Sequence, residues 1–386
     1  MKILIFNHVY YPYQKGGAEI STQLLAESLV NMGHEVHVCT TAPEDKKEII
    51  NGVTIHRTKE RNIYWSFNND DVSAIKKLLW HTIEIYNIFN KTVIRRIIES
   101  VKPDVIHTNV ISGFSTIVWQ VANTLKIPIV HTLRDYYLMC IKATRFDGNK
   151  VCERPCIVCK YYSIPKRIVS ANVDAVIGIS CFILEKHINN GYFPNAKIKS
   201  VIHNPVNSYV KNKGINKRKV IGYLGRVHPS KGIEKLISAF LSINTLGYYL
   251  EIAGGGDPDY ISHLKTKYND KRIRFIGRVE PYDFLSTIEL LVVPSLWEEP
   301  FGRVIVEANS CGCPVLVSNR GGMPELIEED VNGSVFDLYE DDSLKNKLNG
   351  FIKKEISYNL KNMDMKGYEK DFIAKQYIEI YSQICG

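Results

Sequence analysis

No apolar run in these 386 residues is long enough to cross a membrane, since a span takes about 20 residues. The longest apolar runs are strand-sized. The opening MKILIF runs straight into such a stretch, with no basic and apolar leader before it, so no signal peptide is read. With nine cysteines and no secretory leader, the expected compartment is the cytoplasm and the expected thiols are reduced. The dinucleotide fingerprint G-x-G-x-x-G is missing. No nucleic-acid motif is found, which excludes nucleic acid as a partner. No lysine has a sequence context for pyridoxal, which argues against a phosphorylase. No Asp-x-Asp stands out as a metal site, so no divalent ion is expected to be needed. What remains is a globular composition, 45% hydrophobic and 23% charged, long enough for two domains with separate cores.

Charge is unevenly placed along the chain. Residues 204–386 are electrically neutral, and the whole net charge of +8 sits in residues 1–203. A basic half suits an acidic partner, such as an anionic membrane surface or a lipid diphosphate; ordinary solubility charge is the plainer reading.

The first half alternates strand and helix. KILIF (2–6) is a strand. Gly16-Gly17 follow in a loop, and Leu24, Leu25, Leu29 and Met32 recur at helical spacing from about Ala18 to Met32. EVHVCTT (35–41) is the next strand, completing the start of a parallel Rossmann-like sheet. Gly16 and Gly17 either let the backbone approach a ligand or simply make a tight turn. Residues 72–100 read as one long helix with Lys76, Lys77, Arg95 and Arg96 beside Trp80, Tyr86 and Phe89. It either packs on the sheet or lies on an anionic bilayer. PDVIHTN (103–109), IPIVHTL (127–133) and VDAVIGIS (173–180) are further strands, with helices near 116–125 and 181–189, and KIKSVIHNPVN (197–207) closes this half. Between them lie Cys140, Cys152, Cys156 and Cys159, spaced C-x11-C-x3-C-x2-C in a loop. Four thiols at this spacing suit a structural zinc, or stay free and buried.

The polar stretch 207–219 reads as a linker. After it, VIGYLG (220–225) is a strand whose end carries Arg226, and Lys231-Gly232 begin a helix. Two cations and a helix start converge on one point at the end of a parallel strand, which fits a diphosphate. YLEIA (249–253), IRFIG (273–277) and PVLVS (314–318) are strands, with helices near 282–288, 342–354 and 366–384. The stretch VVPSLWEEPFGRVIVE (292–307) organises this half. Pro300, Phe301 and Gly302 form a tight loop just before a helix, whose N-terminus favours an anion. Glu299 sits in the loop, and Glu307 about one and a half turns into the helix. The two carboxylates reach different parts of one molecule and suit the vicinal hydroxyls of a sugar or ribose.

Glu299-x7-Glu307, followed by CGCPVLVSNRGGMPE, resembles the donor-site signature of the retaining GT-B glycosyltransferases of family four (glycosyl transferases group 1). The resemblance covers nearly the whole chain. It implies an α/β GT-B fold, two Rossmann-like domains facing a cleft. An acceptor-side domain would span 1–203 and a nucleotide-sugar donor domain 204–365, with the last helix, 366–386, crossing back onto the first. It implies that Arg226 and Lys231 hold the donor diphosphate, Glu307 the donor ribose and Glu299 the sugar near the reacting carbon. Gly302 and Phe301 would border the donor, Arg278 the nucleobase, and Gly16 and Gly17 the acceptor and diphosphate. Where the family usually reads T-L-H-D, this chain has Arg134 before Asp135. Arg134 either binds a phosphate or carboxylate of the substrate or is a salt-bridged structural residue, and no catalytic histidine is assigned. The implied function is sugar transfer, with retention, from a UDP- or GDP-sugar to a lipid-linked or surface-glycan hydroxyl in polysaccharide or lipopolysaccharide synthesis. This would take place in the cytoplasm, peripherally on the inner face of the plasma membrane. The alternative is a catalytically silent protein of the same fold that binds sugar nucleotides or polysaccharides.

Overall fold

The computed structural model describes every residue except 15, 68–71, 149, 207–216 and 361–362. These residues form two compact units. One comprises Met1–Arg145, Glu153–Pro205 and Gly367–Gly386; the other comprises Val206–Lys366 with Phe146–Cys152.

The first unit is built on β1 (Lys2–Phe6), β2 (Glu35–Ala42), β3 (Lys46–Ile50), β4 (Val53–Lys59), β5 (Val105–Thr108), β6 (Ile129–Leu133), β7 (Ala175–Gly178) and β8 (Ile198–Val201). They lie in the order β3-β4-β2-β1-β5-β6-β7-β8, all parallel except the β3–β4 pair. Parallel strands buried on both faces read as continuous apolar runs, which is why most of them are visible in the sequence. Strand β3 is not: its KKEII is an exposed, lysine-bearing edge, pinned where Arg57 Nε donates to Glu48 at 2.5 Å.

The helices of this unit are α1 (Gly17–Asn31), α2 (Ala74–Glu84), α3 (Lys91–Val101), α4 (Ile117–Thr124), α5 (Ile157–Val169) and α6 (Cys181–Ile188). The long helix expected over 72–100 is two helices. Asn87 breaks it: its N–H donates to Ser115 Oγ at 2.9 Å, its amide donates to the Arg61 carbonyl at 3.0 Å, and its Oδ1 takes the Phe89 N–H at 3.2 Å. Asn90 donates to the Gly113 carbonyl at 2.8 Å. Local side-chain to backbone bonds of this kind compete with the helix ladder. Helix α5 takes up part of the cysteine-bearing stretch expected to be a loop.

The second unit carries β9 (Arg218–Leu224), β10 (Tyr249–Ala253), β11 (Ile273–Gly277), β12 (Ile288–Val293), β13 (Val315–Ser318) and β14 (Gly333–Phe336), with α7 (Ile233–Leu241), α8 (Pro258–Lys267), α9 (Pro281–Thr287), α10 (Arg303–Ser310) and α11 (Ser343–Ile352). The order β11-β10-β9-β12-β13-β14 is wholly parallel, which is the doubly wound Rossmann order. Most of the expected linker, 207–216, lies outside the described residues, while Arg218 and Lys219 already belong to β9.

The final helix, α12 (Lys370–Cys385), belongs to the first unit. Its Ile373, Ala374, Tyr377 and Tyr381 join the core with Ile3, Ile5, Leu25 and Val130. Two buried tyrosine hydroxyls fix it: Tyr377 with Thr132 Oγ1 at 2.9 Å, and Tyr381 with His107 Nδ1 at 2.7 Å.

Candidate functional site

In the second unit the strand order reverses between β9 and β12, so the loops that follow them lie side by side at the carboxyl edge. That reversal is where doubly wound sheets bind ligands. Ser230, after β9, accepts the Leu296 N–H, after β12, at 2.8 Å. This backbone bond brings Lys231 and Glu299 together as an ion pair, and Ser295 Oγ donates to the same Glu299 oxygen at 3.0 Å. The ammonium also stands 5.1 Å from the centre of the Trp297 ring. Lys231, Ser295 and Glu299, with Tyr223, Gly302 and Arg303, line a cavity of about 180 Å³.

Glycine shapes the rest. Gly302 precedes α10 with φ +99, and a Cβ there would stand 2.7 Å from Ile305 Cδ1. Gly302, Arg303 and Val304 line the cavity, so the first turn of α10, whose amides have no intrahelical partner, borders it. Gly321, φ +62, lies so close to Glu299 that a Cβ would come 2.1 Å from its carbonyl oxygen, and the Gly322 N–H donates to that oxygen at 2.8 Å. The loop after β13 thereby holds Glu299 in place.

Charges of both signs surround the cavity. Burial lowers the His228 imidazole, and the charges of Arg226 and Lys231 lower it further. Burial raises the Tyr223 phenol, with the Glu299 charge adding to it, and its hydroxyl donates to the Arg226 carbonyl at 2.7 Å. Arg226 itself is exposed at this edge. Glu307 is engaged on its own helix by Arg303, whose Nε donates at 2.6 Å. Sequence reasoning left out Arg303 and Ser295, although an Arg–Glu pair at i,i+4 is a readable helical spacing.

Two expected donor residues stand apart from the cavity. Phe301 is 2% exposed, so its side chain is buried. Arg278 is exposed and lies over Gly255, where a Cβ would be 2.9 Å from its Nε. The one Asp-x-Asp in the chain, Asp257-Pro258-Asp259, is a helix start: Asp257 accepts the N–H groups of Asp259 and Tyr260 at 2.8 and 3.2 Å.

In the first unit the order reverses between β1 and β5, and a second polar group gathers at the strand ends. Gly16 donates its N–H to Glu19 at 2.9 Å at the start of α1, where Gly17 is the first helical residue. Arg134, after β6, is buried. Its guanidinium donates to the amide oxygens of Asn109, at 2.8 Å, and of Asn204. Its charge also acts on Glu19, whose carboxyl is raised chiefly by burial. Asp135 takes the Tyr137 N–H at 2.8 Å, and burial pushes its carboxyl up to about 6. Asn109, Asn204 and Glu19 were not singled out in the sequence, because they meet Arg134 from distant segments, Asn204 across 70 positions.

Cys140, Cys152, Cys156 and Cys159 are the set expected to hold a structural zinc. Among the described residues no group of three or more His, Cys, Asp or Glu side chains is placed to hold a metal ion. Cys156 is the exposed N-cap of α5, with the Cys159 N–H 3.5 Å from its sulfur, while Cys159 and Cys140 are buried; burial raises the Cys159 thiol, and the neighbouring Cys140 and Cys156 thiols raise it further.

Two α/β units, the second in Rossmann order with cations and carboxylates at its switch point, define the GT-B class. Comparison with known proteins narrows this. Residues 15–208 match the family model Glycosyltransferase Family 4, and residues 207–370 match Glycosyl transferases group 1. A Klebsiella pneumoniae protein described as an uncharacterized 42.6 kDa protein in the cps region is 33% identical over 99% of this chain and 100% of its own length. The chain therefore belongs to the group 1, family 4 glycosyltransferases. The lipopolysaccharide 1,2-N-acetylglucosaminetransferase of Salmonella typhimurium is 28% identical over 42% of this chain and 47% of its own. The Anabaena protein HepE, solved in complex with UDP, shares the fold with a TM-score of 0.72, 20% identity, and coverage of 99% of this chain and 100% of its own. No helix among the described residues is long and apolar enough to cross a membrane.

Proposed function

We propose that this glycosyltransferase moves a sugar, with retained anomeric configuration, from a nucleoside-diphosphate sugar to a hydroxyl of a lipid-linked or cell-surface glycan. The observation that carries this reading is the Lys231–Glu299 pair beside the start of α10, lining one small cavity. In the reaction the bond from the anomeric carbon to the diphosphate oxygen breaks, and the diphosphate keeps the electron pair. The acceptor oxygen then bonds that carbon and passes its proton to the departing diphosphate oxygen. Lys231, Arg226 and the α10 N-terminus would take the charge that develops on the diphosphate, where fixed positive groups lower the barrier most. Glu299 would bind sugar hydroxyls, and Glu307 the ribose, exchanging Arg303 for it. Arg134 and Asp135 would face the acceptor, and Arg278 the base. UDP in the Anabaena relative supports uracil nucleotides as the first donors to try, and the Klebsiella and Salmonella relatives support a surface polysaccharide or lipopolysaccharide acceptor.

Glu307→Ala is expected to weaken donor binding by about 10-fold, the loss of one buried hydroxyl partner, about 1–3 kcal/mol. Calorimetric titration with the nucleotide sugar reads this directly, and an unchanged affinity would remove Glu307 from the site. One observation favours the silent binding protein: Arg134 occupies the usual histidine position and is engaged by two neutral amides. That reading requires nucleotide binding without any release of sugar.

A further inference from the structure

Three thiols of the first unit meet at the start of α5. Cys156 is the N-cap of this 13-residue helix and is exposed. Cys159, one turn further on, and Cys140, in the segment after β6, are buried. The Cys159 N–H donates to the Cys156 sulfur at 3.5 Å, and the Val158 N–H is directed at the same sulfur. The Cys159 thiol is in hydrogen-bond contact with the Cys156 and Cys140 thiols, and it takes the Ile141 N–H. Sulfur thus runs inward from solvent: Cys156, then Cys159, then Cys140. Ile157 and Val158, between the first two, are 77% and 54% exposed, so the outer sulfur stands open to a small reagent.

The setting suits thiol exchange. The first N–H groups of a helix have no intrahelical partner, and a sulfur that receives them is held toward the thiolate, the nucleophilic form. Residues 154–173 contain no carboxylate to oppose this, and Arg154 and Lys160 are exposed on either side. Cys159 is the second thiol that such chemistry needs. It is buried, so a reagent meets Cys156 first. Its sulfur already touches the Cys156 sulfur, so the two can join with little backbone movement. In a compartment that keeps thiols reduced, a bond of this kind is made and broken reversibly and is not kept as a structural cross-link.

We propose that Cys156 and Cys159 are a redox-active dithiol, which a small-molecule disulfide converts reversibly into an intramolecular disulfide. The Cys156 thiolate attacks one sulfur of the small disulfide. That S–S bond breaks, its other half leaves as a thiolate with the electron pair, and a mixed disulfide forms on Cys156. The Cys159 sulfur then attacks the Cys156 sulfur, its proton passing to solvent, and the second half of the reagent leaves as a thiolate. The protein is oxidised by two electrons and the small disulfide is reduced to two thiols. The proposal does not rest on the sugar-transfer reading. The test is incubation of the reduced full chain with oxidised glutathione, followed by alkylation and peptide mass mapping. The peptide carrying Cys156 and Cys159 should lose two hydrogens and escape alkylation, and dithiothreitol should restore it. Cys156→Ser should abolish the bond while the helix stays capped, because serine is a good N-cap. Cys159→Ala, checked for folding by circular dichroism, should instead hold one glutathione on Cys156, since nothing resolves the mixed disulfide. No bond in the oxidised native chain would overturn the proposal, as would a bond made to Cys140 or Cys152 in its place, or a Cys159→Ala chain that takes no glutathione on Cys156. Zinc retained on these thiols by the purified chain, blocking the reaction until it is removed, would overturn it too.

Discussion

Lys231→Ala should lower kcat for sugar transfer by about 10²–10³-fold, the usual effect of deleting one preorganised charge aimed at a leaving group. Two consequences combine. The diphosphate loses a compact cation, and the Glu299 carboxylate loses the partner that orients it while keeping the Ser295 hydroxyl. Lys231→Arg should not restore the rate, because a planar fork cannot replace a point charge standing between a carboxylate and the Trp297 ring. Single-turnover kinetics with a nucleotide sugar would measure both variants, with circular dichroism to show that they fold. A Lys231→Ala enzyme within a few-fold of the native rate would remove the lysine from the chemistry.

The second large effect is steric. Gly321→Ala places a Cβ 2.1 Å from the Glu299 carbonyl oxygen and 2.5 Å from its nitrogen, at a φ of +62. Backbone strain and forced displacement together should cost about 3 kcal/mol or more of stability. Donor binding should fall with it, because the displaced atoms carry Glu299. Gly247→Ala is the matched control. Its φ of +85 is equally left-handed, but nothing lies within 4 Å of the added carbon, so it should cost only about 1–2 kcal/mol and leave donor binding intact. Urea denaturation and titration of both variants separate strain from clash. Equal losses in the two would show that the contact between Gly321 and Glu299 does not position the site.

These two residues mark what could be read in the sequence and what could not. Lys231, Glu299 and Gly302 are visible because each is tied to its neighbours along the chain: a cation at a helix start, a carboxylate before a Pro-Phe-Gly turn. Their meeting is not visible, because Lys231 and Glu299 are 68 positions apart and are joined only by the pairing of β9 with β12. Arg134 shows the same limit. Its type could be read, but its anchoring by Asn109 and Asn204 depends on the order of β5, β6, β7 and β8. The buried parallel strands announced themselves as apolar runs. Strand β3 did not, because an edge strand can be made of lysines. Helix α5 was hidden by its cysteines, by Pro165 in its middle and by a polarity opposite to the usual amphipathic pattern. The break at Asn87 was hidden because its partners, Arg61 and Ser115, lie on other segments.

The central claim is that the switch point of the second unit binds a nucleoside-diphosphate sugar for transfer. The direct measurement is binding and slow hydrolysis of UDP-, GDP- and ADP-sugars by the purified chain without acceptor. This account expects one nucleotide sugar to bind and to release free sugar, and both signals to fall in Lys231→Ala. No binding by any of the three classes, or the same binding and release in Lys231→Ala as in the native chain, would contradict it.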